Sequence, residues 1–209
     1  MKTMPATVVL LAGSIAFAID FFVPARYVGG PVPVAPPHAI GWVVAALDVE
    51  VDGRGAVSRL IGLRETPGGA TLVAPVIAEW RFKPALHMDD PVQSHVLVIN
   101  MFRPRQLYEP APGAPPVDVA QAADHVPFPI HEVRPKHPPN VIGDGFVLVE
   151  VLIGATGNVE GTEVIGAPSG FDRAALEAAQ GWSFRPARYR GVPVRAWAYL
   201  IFGFRAPVV

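Results

Sequence analysis

Cysteine is absent from the 209 residues of this chain, which excludes disulfide bonds and thiolate metal sites. Charge of either sign is scarce: charged residues make up 17% of the chain, and 17 Lys and Arg nearly balance 18 Asp and Glu. Because a nucleic-acid-binding domain needs a concentrated basic surface, this balance argues against a nucleic-acid partner. The hydrophobic content is 51%, which predicts a folded protein rather than a disordered one.

An apolar run over residues 8–18 follows Lys2 near the N-terminus. Its end, Ala16-Phe17-Ala18, fits the small-x-small pattern that precedes cleavage by signal peptidase. Asp20 leaves the run short for a membrane span, which needs about 20 residues. Residues 1–20 are therefore interpreted as a cleaved signal peptide or an uncleaved N-terminal anchor, with a buried N-terminal element as the alternative. Either of the first two interpretations predicts a protein located outside the cytoplasm.

The sequence contains an internal repeat. Residues 80–85 (WRFKPA) and 182–187 (WSFRPA) share a pattern, and 182 − 80 gives an offset of 102. The same offset, applied without a gap, gives 18 identities over the 72 positions from 33 to 104. Unrelated sequences would give roughly 5, so the repeat indicates a duplication. The sequence therefore predicts two copies of one domain, at residues 38–104 and 133–207.

Proline marks the segments outside these copies. Residues 104–139 hold 10 of the 24 prolines and show little periodicity. Because proline lacks a backbone donor, such a stretch predicts an extended, mobile linker, here residues 105–132. A shorter Pro-rich linker is predicted at residues 21–37.

Each copy has the pattern strand, turn, strand, helix, strand. In the first copy, residues 45–51 alternate apolar with other side chains, which predicts a half-buried strand with Asp48 and Glu50 facing solvent. The second copy's helix follows a capping pattern, Ser169 and Asp172, and stops at Gly181. In the first copy Pro75 falls inside the matching segment, so we expect a shorter or irregular helix there.

The order of these motifs resembles the TonB C-terminal domain family. The second copy carries the resemblance through Pro135, Pro138, Gly157, Val159, Ser169-Gly170, Asp172, Ala174-Ala175-Leu176, Trp182, Phe184, Pro186-Ala187, Gly191, Pro193-Val194 and Phe204. The first copy is divergent: it lacks the Ala-Ala-Leu core, and Asp89 replaces the equivalent of Gly191. The resemblance implies an α+β fold with two domains, each a small antiparallel three-stranded sheet packed with one or two helices.

The resemblance also implies a function and a periplasmic location, with the protein either secreted by a signal peptide or anchored to the inner membrane by its N-terminus. Family members act in envelope energy transduction and transport, and their partners are outer-membrane TonB-dependent transporters, which present an extended segment for β-strand addition. Proton-channel partner proteins of the inner membrane are further implied partners. Two departures weaken the inference of energy transduction. Ala18 stands where the family's Ser-x-x-x-His pattern has histidine after Ser14, and the spacer between the apolar run and the first copy is short. The alternative is a periplasmic adaptor or scaffold with no link to the proton gradient.

The last strand of the second copy, Val194 to Phe204, is the predicted binding edge, because no later strand in the chain must cover it. The partner-binding residues predicted on it are Val194, Arg195, Trp197, Tyr199 and Ile201. A rival arrangement pairs this edge with the first copy's strand, Val92 to Phe102, and self-association stays open.

No residue pattern predicts catalysis, a cofactor or a metal site. His125, His131 and His137 recur every six residues, a spacing that matches no compact ligand set, so they are interpreted as solvated linker residues. Ser169 has no histidine placed to activate it. Trp80 and Trp182 occupy the same position after a helix in both copies, which predicts that both pack in a core.

Overall fold

The computed structural model describes residues 22–34, 42–102, 116–166 and 170–206. The predicted signal peptide or anchor at residues 1–20 lies outside these ranges, and so do Ser169 and parts of both predicted linkers.

The chain alternates short and long strands around two helices. The first half holds β1 (Phe22–Val23), β2 (Arg26–Gly29), β3 (Val43–Val51), β4 (Val57–Glu65), α1 (Gly69–Ile77), β5 (Arg81–Lys83), β6 (Ala85–His87), β7 (Asp90–Val92) and β8 (Ser94–Phe102). The second half holds β9 (Val117–Asp118), β10 (Phe128–His131), β11 (Gly145–Ile153), β12 (Val159–Val164), α2 (Asp172–Gln180), β13 (Ser183–Arg185), β14 (Ala187–Tyr189), β15 (Val192–Val194) and β16 (Ala196–Phe204).

The two halves correspond element by element. β3 begins at residue 43 and β11 at 145, and β8 begins at 94 and β16 at 196, so both pairs keep the 102-residue offset of the repeat. The hairpin turns also correspond: Gly55 and Gly157 have φ of 81° and 87°, a left-handed conformation that glycine adopts without strain. In both halves the carbonyl of this glycine accepts a hydrogen bond from the backbone amide of the phenylalanine in the W-x-F motif, Phe82 or Phe184.

The two copies share one seven-stranded sheet, with strand order β12-β11-β16-β8-β3-β4-β9. Within each copy three strands pair antiparallel, as predicted. The copies join where β8 and β16 pair in parallel, from Ala198 opposite Leu97 to Gly203 opposite Phe102. Two separate three-stranded sheets are therefore not what the chain forms, because the equivalent last strands of the copies hydrogen-bond to each other.

The shared sheet separates two hydrophobic cores. Helix α2 packs its buried alanines, among them Ala175 and Ala179, on one face of the sheet together with Trp182. Helix α1 packs Val73 and Ile77 on the opposite face together with Trp80. The central strands are thus covered on both faces, as is usual for sheets with parallel pairing. The predicted half-buried character of residues 45–51 is wrong, since the other copy covers the second face.

Helix α1 is as long as α2 in spite of Pro75, at nine residues each. The expected shortening does not occur, because burial of Gly69, Val73 and Ile77 on the sheet holds the helix around the missing donor. Helix α2 ends before Gly181, as predicted. Its N-cap residue is Phe171, and Asp172 is its first residue; the predicted capping residue Ser169 lies outside the described ranges.

Parts of both predicted linkers belong to the fold. In the first, β2 pairs with β5, and Ala25 is fully buried. In the second, β10 pairs with β13 at the same offset of 102, β9 extends the sheet beside β4, and Val126 is fully buried. Residues 116–131 are therefore held against the sheet by the pairing of β9 and β10 and by the buried Val126, while Val117, Val119 and Ile130 are exposed. The mobility expected of the linker stays a prediction.

Candidate functional site

The predicted binding strand lies in the middle of the sheet. β16 pairs along its whole length with β11 and over Ala198 to Gly203 with β8, so both of its sides are taken. It is not an edge in this chain, and the rival pairing with the first copy's last strand is the arrangement found. The partner-binding role of its residues stays a prediction, and it requires that β8 leave.

The five predicted binding residues have different surroundings. Val194 ends the β14–β15 hairpin, and the exposed Arg195 forms an ion pair with Glu160 at 2.7 Å. Trp197 is half-buried, with the Arg26 guanidinium 5.0 Å from its ring centre. Tyr199 and Ile201 are fully buried.

The first copy buries this row of side chains. Tyr199 lies 5.9 Å from the rings of both Trp80 and Phe82 and 5.7 Å from that of Tyr27, measured between ring centres. Such edge-to-face and tilted contacts are favourable for aromatic side chains. The face that a single copy would expose is therefore part of a core formed by the other copy.

A buried carboxylate lies beside this aromatic cluster. Glu150, on β11, is 1% exposed and accepts hydrogen bonds from Arg26 at 2.7 to 3.2 Å and from the Tyr199 hydroxyl at 3.2 Å. The Tyr27 amide in turn donates to the Tyr199 hydroxyl at 2.7 Å. Hydrogen bonding to Glu150 raises the pKa of Arg26, and burial raises the pKa of Tyr199. This network ties residues 26–27 to the second copy.

A second buried carboxylate occupies the equivalent position of the first copy, since 48 + 102 gives 150. Asp48 is 2% exposed, so the predicted solvent-facing position is wrong; the neighbouring Glu50 is half-buried at the rim. The Asp48 carboxylate meets His95 Nδ1 at 2.8 Å and His125 Nε2 at 3.2 Å. His125, interpreted from the sequence as a solvated linker residue, is exposed but also contacts Asp48, because β9 and its following turn bring it to the sheet.

Sequence reasoning missed both carboxylates, although the repeat held a signal for them. Asp48 and Glu150 are acidic residues at matching positions in strands whose other residues are almost all apolar. An acid retained twice in such a strand indicates a buried, partnered group more than a solvated one.

The two tryptophans are buried, as predicted, and they are equivalent in detail. The indole nitrogen of Trp80 donates to the Pro31 carbonyl at 2.6 Å, and that of Trp182 donates to the Val133 carbonyl at 2.9 Å. Both acceptors lie 49 residues before the tryptophan. Each tryptophan thus fixes the segment that precedes its own copy.

The outer strands are where the sheet can accept another strand. β12 forms one end of the sheet, and no strand in the described ranges pairs with its outer side. At the other end β9 pairs with Arg64 and Glu65 of β4. A groove of about 310 Å³ runs along β12 and is lined by Val159, Glu160, Gly161, Thr162 and Gln180.

Comparison with known proteins identifies one of the two copies. Residues 143–206 match the family described as Gram-negative bacterial TonB protein C-terminal, and this match covers β11 to β16. The chain matches no curated protein. Within the described ranges, neither helix has the length and apolar character that crossing a membrane requires. The resemblance seen in the second copy is confirmed over residues 143–206, which match a TonB C-terminal domain, and that family's domain is a protein-interaction domain.

Proposed function

We propose that this protein binds an extended segment of an outer-membrane transporter by β-strand addition, and that the open edge β12 receives it. The observation that supports this site is the pairing of the sheet: β16 has strands on both sides, whereas β12 has one. An open edge carries unpaired backbone donors and acceptors, which an incoming strand satisfies.

The backbone of β12 has donors in the required direction. The amide of Ile165 donates to the Leu148 carbonyl, and bonded and non-bonded pairs alternate along an antiparallel ladder. The amides of Thr162 and Val164 consequently point away from β11. Each hydrogen bond to a guest strand contributes about 0.5–1.5 kcal/mol net, so we expect modest affinity.

The side chains of β12 indicate what kind of segment fits. Glu160 and Glu163 are both acidic, and the Glu163 side chain is 66% exposed. Glu160 and Glu163 lie three residues apart and pair with Arg195 and Arg26 of the chain itself. A guest strand with a basic residue opposite the exposed Glu163 complements this edge, and salt should weaken its binding.

Binding at β16, as the sequence predicted, is a separate mode. It requires displacement of β8, which would break the parallel ladder from Leu97 to Phe102 and expose Tyr199 and Ile201. Because both residues are fully buried, we expect this mode to be far costlier than addition at β12.

Proline substitutions test the proposal with transporter-derived peptides and fluorescence anisotropy. Thr162→Pro removes an outward donor of β12 and should weaken binding at least about tenfold, as expected for a loss of about 1.4 kcal/mol. Leu60→Pro changes the equivalent position of β4 and serves as the matched control, with affinity unchanged. Equal affinity for the parent and Thr162→Pro would overturn the choice of edge.

A disulfide tests the displacement mode, because the chain has no cysteine of its own. Leu97→Cys combined with Ala198→Cys places a bond between β8 and β16 at directly paired positions. Under β12 addition the oxidised protein keeps the affinity of the reduced one. Loss of binding on oxidation would favour β16 instead.

An adaptor with no link to the proton gradient is the second candidate. The pairing of β8 with β16 favours this candidate, because it occupies the strand that the sequence predicted as the binding edge. Cross-linking in membranes that contain the inner-membrane proton-channel proteins distinguishes the two: adducts with those proteins support energy transduction, whereas adducts with other envelope components alone support the adaptor.

A further inference from the structure

The side chains of Asp48, His95 and His125 come together from three separate parts of the chain. Asp48 lies on β3, His95 on β8, and His125 between β9 and β10. One possible ligand atom from each side chain lies within 4.8 Å of the other two. The two imidazole rings are 3.7 Å apart between centres, each with a nitrogen directed at a different oxygen of the same carboxylate.

The Asp48 carboxylate lacks the permanent cation that its counterpart has. In the second copy the Arg26 guanidinium neutralises Glu150 through direct hydrogen bonds. In the described part of the chain, the ion-pair partners of Asp48 are His95 and His125, which carry charge only when protonated. The Asp48 side chain is 3% exposed, and a buried carboxylate is costly without a compensating positive charge.

We propose that Asp48, His95 and His125 bind a divalent transition-metal cation, with Zn²⁺ as the representative ion. Two imidazole nitrogens and one carboxylate oxygen are ligands that Zn²⁺ and its neighbours prefer, whereas Mg²⁺ and Ca²⁺ prefer oxygen alone. In this structure the Asp48 carboxylate oxygens lie 2.8 Å from His95 Nδ1 and 3.2 Å from His125 Nε2. Bonds of about 2.0–2.1 Å to a central ion need only small side-chain shifts from that arrangement.

A cleft beside the two histidines has room for a fourth ligand. A cavity of about 170 Å³ borders both histidines and is closed on its far side by the β14–β15 hairpin of the second copy, with Arg188, Tyr189 and Arg190 in its lining. The Arg188 guanidinium donates to the Gly191 carbonyl at 2.7 Å, and that of Arg190 lies 5.3 Å from the Tyr189 ring centre. These two arginines favour an anion as the fourth ligand, because a negative group offsets their charge; a water molecule would be the neutral alternative.

The position of His125 gives the cation a structural consequence. Asp48 and His125 are 77 residues apart in sequence, and the backbone of the neighbouring Asp124 accepts a hydrogen bond from the Arg188 amide at 2.8 Å. A bound cation would therefore fasten residues 116–131 to the first copy's sheet at the point where this segment also contacts the second copy.

Calorimetric titration of the full chain with Zn²⁺ tests the site. We expect one ion per chain and no comparable heat with Mg²⁺. His125→Ala, at a side chain that is 43% exposed, should lower the affinity at least about tenfold, since removing an outer contact of a metal site alone costs about 10- to 100-fold. His131→Ala removes an exposed histidine of the same segment and is the matched control, with stoichiometry and affinity unchanged.

Two further measurements guard against misfolding. Circular dichroism should show that His95→Gln and His125→Ala keep the parent's fold without metal. Co²⁺ should give the parent a visible ligand-field absorption that both variants lack. An absence of 1:1 Zn²⁺ binding, or binding that His95→Gln and His125→Ala leave intact, would overturn the proposal.

Discussion

The two copies share one backbone plan but neutralise the same buried acid in different ways. Glu150 in the second copy is held by Arg26, whereas Asp48 in the first copy is held by His95 and His125. The difference shows that each acid depends on the segment that precedes the other copy: residues 22–34 cover Glu150, and residues 116–131 cover Asp48. Neither copy completes its own structure.

The same exchange explains why the recognisable family domain is only part of the folded unit. The second copy matches the TonB C-terminal family over residues 143–206, yet the outer face of its last strand is covered by Trp80 and Phe82. A single copy would leave Tyr199 and Ile201 in solvent. The pairing of the two halves thus buries between them the edge and face that one domain would present.

The largest expected effect comes from the matched tryptophans. Trp80→Ala and Trp182→Ala should each destabilise the protein by about 3–5 kcal/mol, as is typical when a large aromatic side chain is removed from a core. Because the sheet is continuous, we expect either variant to unfold in one cooperative transition that involves both copies. Urea denaturation followed by circular dichroism measures both properties.

Trp197→Ala provides the control for that prediction. Because Trp197 is half-buried, its replacement should lower the free energy of unfolding by less. Two separate unfolding transitions, with one copy unaffected by the other's tryptophan, would show that the copies are independent domains.

Elements set by local contacts could be predicted from the sequence. Strand and helix positions follow from local periodicity and turn residues: the strand expected over residues 45–51 lies within β3, Val43–Val51. The repeat carried the same element order into the first copy in spite of its divergence. Even Asp89, which replaces a glycine, adopts the left-handed φ of 70° that the turn requires.

The site could not be found in the same way, because burial in this protein is set by the other copy. Nothing local distinguishes Asp48 from a solvated strand residue, and His125 meets it across 77 residues. For the same reason Trp197, Tyr199 and Ile201 were predicted to bind a partner rather than to lie in a core. For β16 the sequence held one signal of its burial: the side chains on both faces of the strand are largely apolar, a pattern typical of strands buried on two faces.

The next effect in size concerns the cation of the second copy. Arg26→Ala should destabilise the protein by about 1–3 kcal/mol, because it leaves the Glu150 carboxylate buried without its main partner. This range lies below that of a fully buried pair, since the Arg26 side chain is 50% exposed. Thermal and urea unfolding of Arg26→Ala and Arg26→Lys provide the measurement.

The double variant Arg26→Ala with Glu150→Gln should recover part of that loss, because the amide carries no charge to compensate. If the single variant Arg26→Ala is as stable as the parent, the Tyr199 hydroxyl and solvent suffice for Glu150, and the proposed difference between the copies has no energetic weight.

The copies should also differ in alkali. Burial raises the pKa of Tyr199, whose counterpart in the first copy is Leu97. The unfolded chain therefore releases the phenolic proton at a lower pH than the folded one, so the stability contributed by the neutral phenol is complete below about pH 10 and is lost as pH rises further. Stability curves from pH 8 to 12 should fall less steeply for Tyr199→Phe than for the parent. A parallel fall in both proteins would contradict this assignment.

The smallest effect distinguishes the two hairpin turns. Asp52 opens the β3–β4 turn and accepts hydrogen bonds from the amides of Ala56 and Arg54 at 2.9 and 2.8 Å, and these bonds lower its pKa. Its counterpart, Gly154, has no side chain. The Asp52 contribution to stability is therefore present above the ordinary carboxyl pKa of about 3.9 and is lost as pH falls through the lower folded value.

A titration followed by nuclear magnetic resonance measures this effect. The chemical shift of the Ala56 amide should change as pH falls through the lowered pKa of Asp52, while that of the Asn158 amide in the second hairpin should not. Asp52→Asn keeps an acceptor oxygen without the charge, so it should abolish the shift and leave the turn intact. A midpoint for Asp52 at its ordinary value would show that the two turns are held equally by their backbones alone.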